Sequence, residues 1–242
     1  MRLAALGAVT IAFVGATTGA AAFLANRDAW LAESHVATPD GIAYALSATR
    51  RDPGRAEYWR WLGAAYASAA RWPEAVAADK EAIARAAHDW TLWAQLAGAH
   101  LGEARAGDSG APSAAIAAAR QAVSADPELA VTHGFLAMTA RVVGDYDLAL
   151  LAVANAARRT GLPTYDDLAA ESAAQATTVA EARAPLEAAL QRRDGASLRV
   201  ALARVTLKLG DYDAAVRHAR RALELDPGDA DARELLRLLS AL

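Results

Sequence analysis

Along most of this chain apolar residues return every three or four positions, the spacing of one helix face. In Ala196 to Pro227 they are Leu198, Leu202, Val205 and Leu209. Gly210 follows, where a left-handed residue closes a helix. Asp211 and Asp213 then stand where carboxylates accept the free amides of a new helix. Ala215, Ala219 and Ala222 leave the second helix a face without bulk, along which the first can approach closely. Asp226-Pro227 ends it, because proline lacks an amide hydrogen and restricts its predecessor. The stretch predicts two short amphipathic helices about one turn. Asp-Pro recurs at 52–53, 126–127 and 226–227, at spacings of 74 and 100 residues. These are close to two and three units of about 34 residues, the length of a helix-turn-helix repeat.

The residues within the units sharpen that period. Trp59, Leu62, Gly63, Tyr66, Ala75 and Ala82 mark one unit, and Leu202, Ala203, Gly210, Tyr212, Ala215, Ala222 and Pro227 another. In this pattern the chain resembles the tetratricopeptide repeat family. The resemblance implies an all-α, right-handed solenoid of antiparallel helix pairs, about five repeats over residues 39–242. Pro39 to Asp52 resembles only the second helix of a repeat, and the first full repeat covers 56–88, with Gly63 at a close crossing opposite Ala75. A second begins at Trp90, with Trp93, Leu96, Ala97 and His100 in signature slots. Its second helix, Ser113 to Ala125, arrives late, so the excess is assigned to a loop over Gly102 to Pro112, rich in glycine, serine and proline. A third spans 130–163, with Leu136, Ala137, Gly144, Tyr146 and Ala149 matching. The fourth, 164–195, is degenerate and interrupted by Pro185. Asp229 to Leu242 predicts a helix that caps the array.

The N-terminus is different. Leu3 to Ala25 carries no charge, and its 23 residues would reach roughly 35 Å as a helix, against a bilayer core of about 30 Å. Residues 1–25 therefore read as a transmembrane anchor or a signal peptide, with Ala20 and Ala22 as a small-x-small cleavage site. The anchor is favoured because the apolar run continues to Ala25. Gly7, Ile11, Gly15 and Gly19 share a face that would suit a helix-helix partner in the membrane. Residues 26–38 read as a polar juxtamembrane connector, with Trp30 at the interface. The expectation is a bacterial-type inner membrane, one span and repeats in the periplasm. The alternative is a soluble periplasmic or secreted protein after cleavage.

Charge and chemistry narrow the function. A net charge of −3 with interspersed signs provides no basic stripe for nucleic acid. The absence of cysteine excludes disulfides, thiol catalysis, cysteine-ligated metals and a lipid anchor on cysteine. No phosphate loop, nucleophile elbow or metal-ligand pair at helical spacing appears, so no enzyme activity, cofactor or metal is expected. His100 and His133 occupy slots that the repeat fills with aromatics. Their bland reading is a partly buried histidine in an aromatic's place; the other is a haem or metal ligand. Of the tryptophans, Trp59 and Trp93 fall in core slots, whereas Trp61, Trp72 and Trp90 fall outside them, where packing and interface anchoring compete.

The family binds partners in a concave groove lined by the first helices. By resemblance the lining here is Glu57, Arg60, Ala64 and Ser68, then Thr91 and Gly98, then Met138, Arg141 and Val142, and finally Ser197, Arg204 and Lys208. Its small, partly apolar and locally basic character would suit a protein or peptide with acidic or apolar residues. The expected function is a non-enzymatic, membrane-tethered scaffold for assembly of an envelope complex. A narrower reading is similarity in layout to the repeat-bearing subunit of the bacterial cytochrome c haem-ligation apparatus, which holds apocytochrome for haem attachment. The repeats after residue 163 count against that one.

Overall fold

The computed structural model describes residues 21–241. The stretch before them, including the face of Gly7 to Gly19, lies outside the described residues. Among those described there are helices and no strands, and no helix is long and apolar enough to cross a membrane. The chain divides into two compact units, Met1–Ala118 and Ala119–Leu242.

The first unit holds α1 (residues 21–34), α2 (Pro39–Arg51), α3 (Ala56–Ser68), α4 (Trp72–Arg85), α5 (Trp90–Arg105) and part of α6 (Ala111–Ala125). The second continues with α7 (Ala130–Val142), α8 (Tyr146–Ala157), α9 (Pro163–Gln175), α10 (Ala180–Leu190), α11 (Ala196–Lys208), α12 (Tyr212–Leu225) and α13 (Ala230–Leu239). In the first unit α2 packs on α3, α3 on α4 and α4 on α5. In the second α7 packs on α8, α8 on α9, α10 on α11, α11 on α12 and α12 on α13. Helices two apart also meet: α3 on α5, α8 on α10, α9 on α11, and α11 on α13. This is the contact pattern of stacked helix hairpins. The core is built largely of alanine, with Ala75, Ala82, Ala137, Ala149, Ala203 and Ala215 fully buried. Backbones therefore approach closely, and few large side chains are needed to fill the space between them.

The turn chemistry follows the sequence. Gly144 and Gly210 take positive φ after α7 and α11, a conformation that costs an L side chain roughly 1–2 kcal/mol. The corresponding turn after α3 places Ala70 there, at φ 56. Asp145, Asp211 and Asp229 each accept a backbone amide at a helix start, from Leu148, Ala214 and Ala232. Between hairpins, a side chain six residues on donates to the loop carbonyl. Trp59 Nε1 reaches Pro53 at 2.9 Å, Trp93 Nε1 reaches Ala87 at 2.8 Å and His133 Nε2 reaches Pro127 at 2.9 Å. His133 thus replaces an indole as a donor. Burial holds its pKa below the usual range, which keeps the ring neutral with the proton on Nε2.

Four expectations change. Residues 26–34 are not a connector: they belong to α1, whose Ala25, Ala29 and Ala32 are buried against Ala45, Ala48, Tyr58 and Leu62. α1 supplies the partner that α2 lacked, so six helix hairpins precede α13 in chain order rather than about five. The Gly102–Pro112 loop shrinks to 106–110, because α5 runs on to Arg105 and α6 begins at Ala111. Gly102 is buried in α5 because Trp72 covers it; a Cβ there would lie 2.3 Å from the indole. Gly63 faces Asp79 of α4 and Gln95 of α5 rather than Ala75, with Asp79 Oδ1 only 1.9 Å from where a Cβ would be. Pro185 sits inside α10 without ending it, and 164–195 forms two helices despite its weak signature.

Candidate functional site

In the first unit the first-helix positions do not form one surface. Glu57 and Arg60 of α3 join Thr91 and Leu92 of α5, with Asp89, around an open depression of about 420 Å³. Asp89, Thr91 and Arg60 are already engaged. Asp89 caps α5 through the Thr91 amide at 2.9 Å and hydroxyl at 2.6 Å, and the Arg60 guanidinium lies 4.4 Å from the Trp61 ring centroid. Ser68 instead lines a larger cleft of about 520 Å³ with Val36, Pro39, Ile42 and Leu46. Gly98 is exposed, and a Cβ there would meet nothing within 4 Å; Ala64 is half-buried.

In the second unit the expected cations bind their own chain. Arg141 pairs with Glu171 of α9 at 2.8 Å. Arg204 donates to the Ala170 carbonyl at 2.7 Å and pairs with Asp231 of α13 at 3.0 Å, leaving its side chain 16% exposed. Lys208 Nζ donates to the carbonyls of Ala173 at 2.8 Å and Ala174 at 3.1 Å, and also to that of Ala176, closing the C-terminal end of α9. Burial lowers its pKa. Ser197 donates to Asp167 at 2.5 Å. Each reaches from one hairpin to the next, so these side chains lock the stacking.

What remains free is apolar. Met138 is 60% exposed, Val142 56% and Val131 46%, with half-buried Phe135 between them. Positions 131, 135, 138 and 142 are spaced i, i+4, i+7 and i+11, which puts them on one stripe of α7. The opposite face of α7 is buried through Leu136, Ala137 and Ala140. Sequence reasoning found Met138 and Val142 but missed Val131 and Phe135, although the spacing is visible in the sequence.

The histidines show no ligand constellation. His100 Nδ1 donates to Glu103 at 2.7 Å, and His133 has the role described above. Among the described residues no group of three or more histidine or carboxylate side chains is placed to hold a metal.

Stacked antiparallel helix hairpins, joined by carbonyl-clamped turns, define a helical repeat protein with an interaction surface. Residues 196–238 match the tetratricopeptide repeat family model, so that stretch is a tetratricopeptide repeat. None of the curated proteins compared matches it. Similar solved structures include Pseudomonas aeruginosa pilF, at 15% identity and TM-score 0.52, covering 90% of this chain and 99% of that one. A tetratricopeptide repeat protein from Parabacteroides merdae aligns at 12% identity and TM-score 0.50, covering 91% and 84%. A thermophilic repeat protein of Thermus thermophilus aligns at 19% identity and TM-score 0.44, covering 93% and 100%. At these identities the likeness is one of fold.

Proposed function

We propose that this repeat scaffold is tethered to a membrane through residues 3–25, holds its repeats outside the cytoplasm and recruits a partner for assembly of an envelope complex. The partner is an apolar or amphipathic protein segment, seated on the α7 stripe of Val131, Phe135, Met138 and Val142. The observation that carries this reading is the contrast on the second unit: its first-helix cations are engaged within the chain, whereas the stripe is open. Apolar burial then supplies the affinity, at about 25 cal/mol per Å². Membrane tethering is supported by the uncharged run from Leu3 to Ala25.

The test is site-specific photocrosslinking from position 138 in membranes, followed by measurement of affinity for the captured partner. Replacing Met138 and Val142 with aspartate together should weaken binding at least tenfold, about 1.4 kcal/mol. Arg141→Glu, or added salt, should change it little. Affinity that ignores the aspartates but falls with salt would move the partner to a charged surface.

A further inference from the structure

Phe23 and Trp30 are 70% and 64% exposed on α1. With Arg27 and Ser34 they take positions i, i+4, i+7 and i+11, a stripe diametrically opposite the buried Ala25, Ala29 and Ala32 at about 100° per residue. The same end of the unit carries a collar of arginines. Arg51 reaches Asp28 at 3.3 Å and Arg55 reaches Asn26 at 2.8 Å, so the end of α2 and the start of α3 lie level with the start of α1. Arg27, Arg50, Arg51 and Arg55 gather there. Asp28 is buried and held by Arg27, Arg51 and Ser47, and Asp52 lies 3.5 Å from Arg55.

From this juxtaposition we infer that the Phe23–Arg27–Trp30 face of α1, with its arginine collar, is a contact surface for an anionic bilayer interface. The inference rests on the tethering reading above and specifies its geometry. The uncharged run ends at Ala25, which is itself a core residue of the first hairpin. No linker separates the run from the packed array. Trp30 lies five residues beyond Ala25, about 7.5 Å along the helix, and the headgroup layer of one leaflet is about 5–8 Å deep. Aromatic rings with a polar edge settle at that depth, and exposed arginines favour anionic headgroups. The inference holds for either leaflet.

The chain contains no cysteine, so single replacements can be labelled cleanly. Full-length protein carrying an NBD fluorophore at Trp30→Cys, Ala12→Cys or Ser68→Cys is reconstituted in vesicles of phosphatidylethanolamine and phosphatidylglycerol. The vesicles contain lipids with nitroxides at either headgroup or deep acyl positions. The expected result is at least twofold stronger quenching of the position-30 label by the headgroup nitroxide than by the deep one. Position 12 should show the reverse order and position 68 neither. Quenching at 12 with none at 30 would overturn the interface while leaving the tether intact. A label at 30 that is shielded from aqueous iodide yet unquenched by either lipid would assign the face to a protein. Absence of quenching at 12 would remove the tether, and this inference with it.

Discussion

Asp79 offers the sharpest test of the first unit's packing. It sits on α4, 1% exposed, between α3 and α5. Its Oδ1 accepts from Gln95 Nε2 at 2.6 Å, and Oδ2 is buried without a hydrogen-bond partner. Burial without a counter-charge pushes its pKa up to about 7, from an unfolded value near 3.9. The folded state therefore holds this proton more tightly, so the contribution is present at low pH and is lost as pH rises from about 4 through 7. Between pH 5 and pH 8 the loss amounts to roughly 2–3 kcal/mol. Asp79→Asn keeps the shape and the acceptor for Gln95 but cannot ionise. All six tryptophans lie between residues 30 and 93, so indole fluorescence during urea unfolding reports on the first unit. Wild type should lose stability relative to the variant as pH rises from 5 to 8, and the gap should close only near pH 4. Parallel profiles across that range would refute the argument that Asp79 is buried without compensation.

Two further outcomes follow from the turns and the close contacts. Gly102→Ala should destabilise the first unit by about 1–3 kcal/mol, because its methyl enters the Trp72 ring; an unchanged urea midpoint would place Trp72 elsewhere. Ala70→Gly should raise stability by about 0.5–1 kcal/mol, since glycine accepts the positive φ without strain, and a lower melting temperature would show that this turn is not held left-handed.

Local punctuation was legible throughout: Gly210 closes α11, Asp211 opens α12, and the Asp-Pro pairs end α2, α6 and α12. Those signals act over one turn, where sequence determines conformation almost alone. What escaped depends on partners distant in sequence. Residues 26–34 looked like a connector because their polar side chains mask two alanines, Ala29 and Ala32, which read as core only once α2 and α3 supply a surface. Glycine and proline suggested a long loop at 102–112, yet Gly102 is set by Trp72 thirty positions earlier. The candidate groove shows the same limit. Helical spacing identified its positions, but not that Arg204 and Lys208 would find acceptors about 34 residues away on α9. Met138 and Val142 have no such partners and are exposed.

Were a signal peptidase to act on this chain, the placement of α1 would set up a race. A peptidase cutting after Ala22 needs its substrate extended, yet in the folded protein residues 21–34 are helical and Ala25 is locked beneath Tyr58. Closure of the first hairpin requires only about forty residues downstream of that bond, all local in sequence, and local helical contacts form quickly. Retention of the N-terminal run would then be decided by timing: a chain whose first hairpin had closed would conceal that bond. Slowing that closure, rather than altering the small residues at the bond, would then be the way to release a chain that is tethered as proposed.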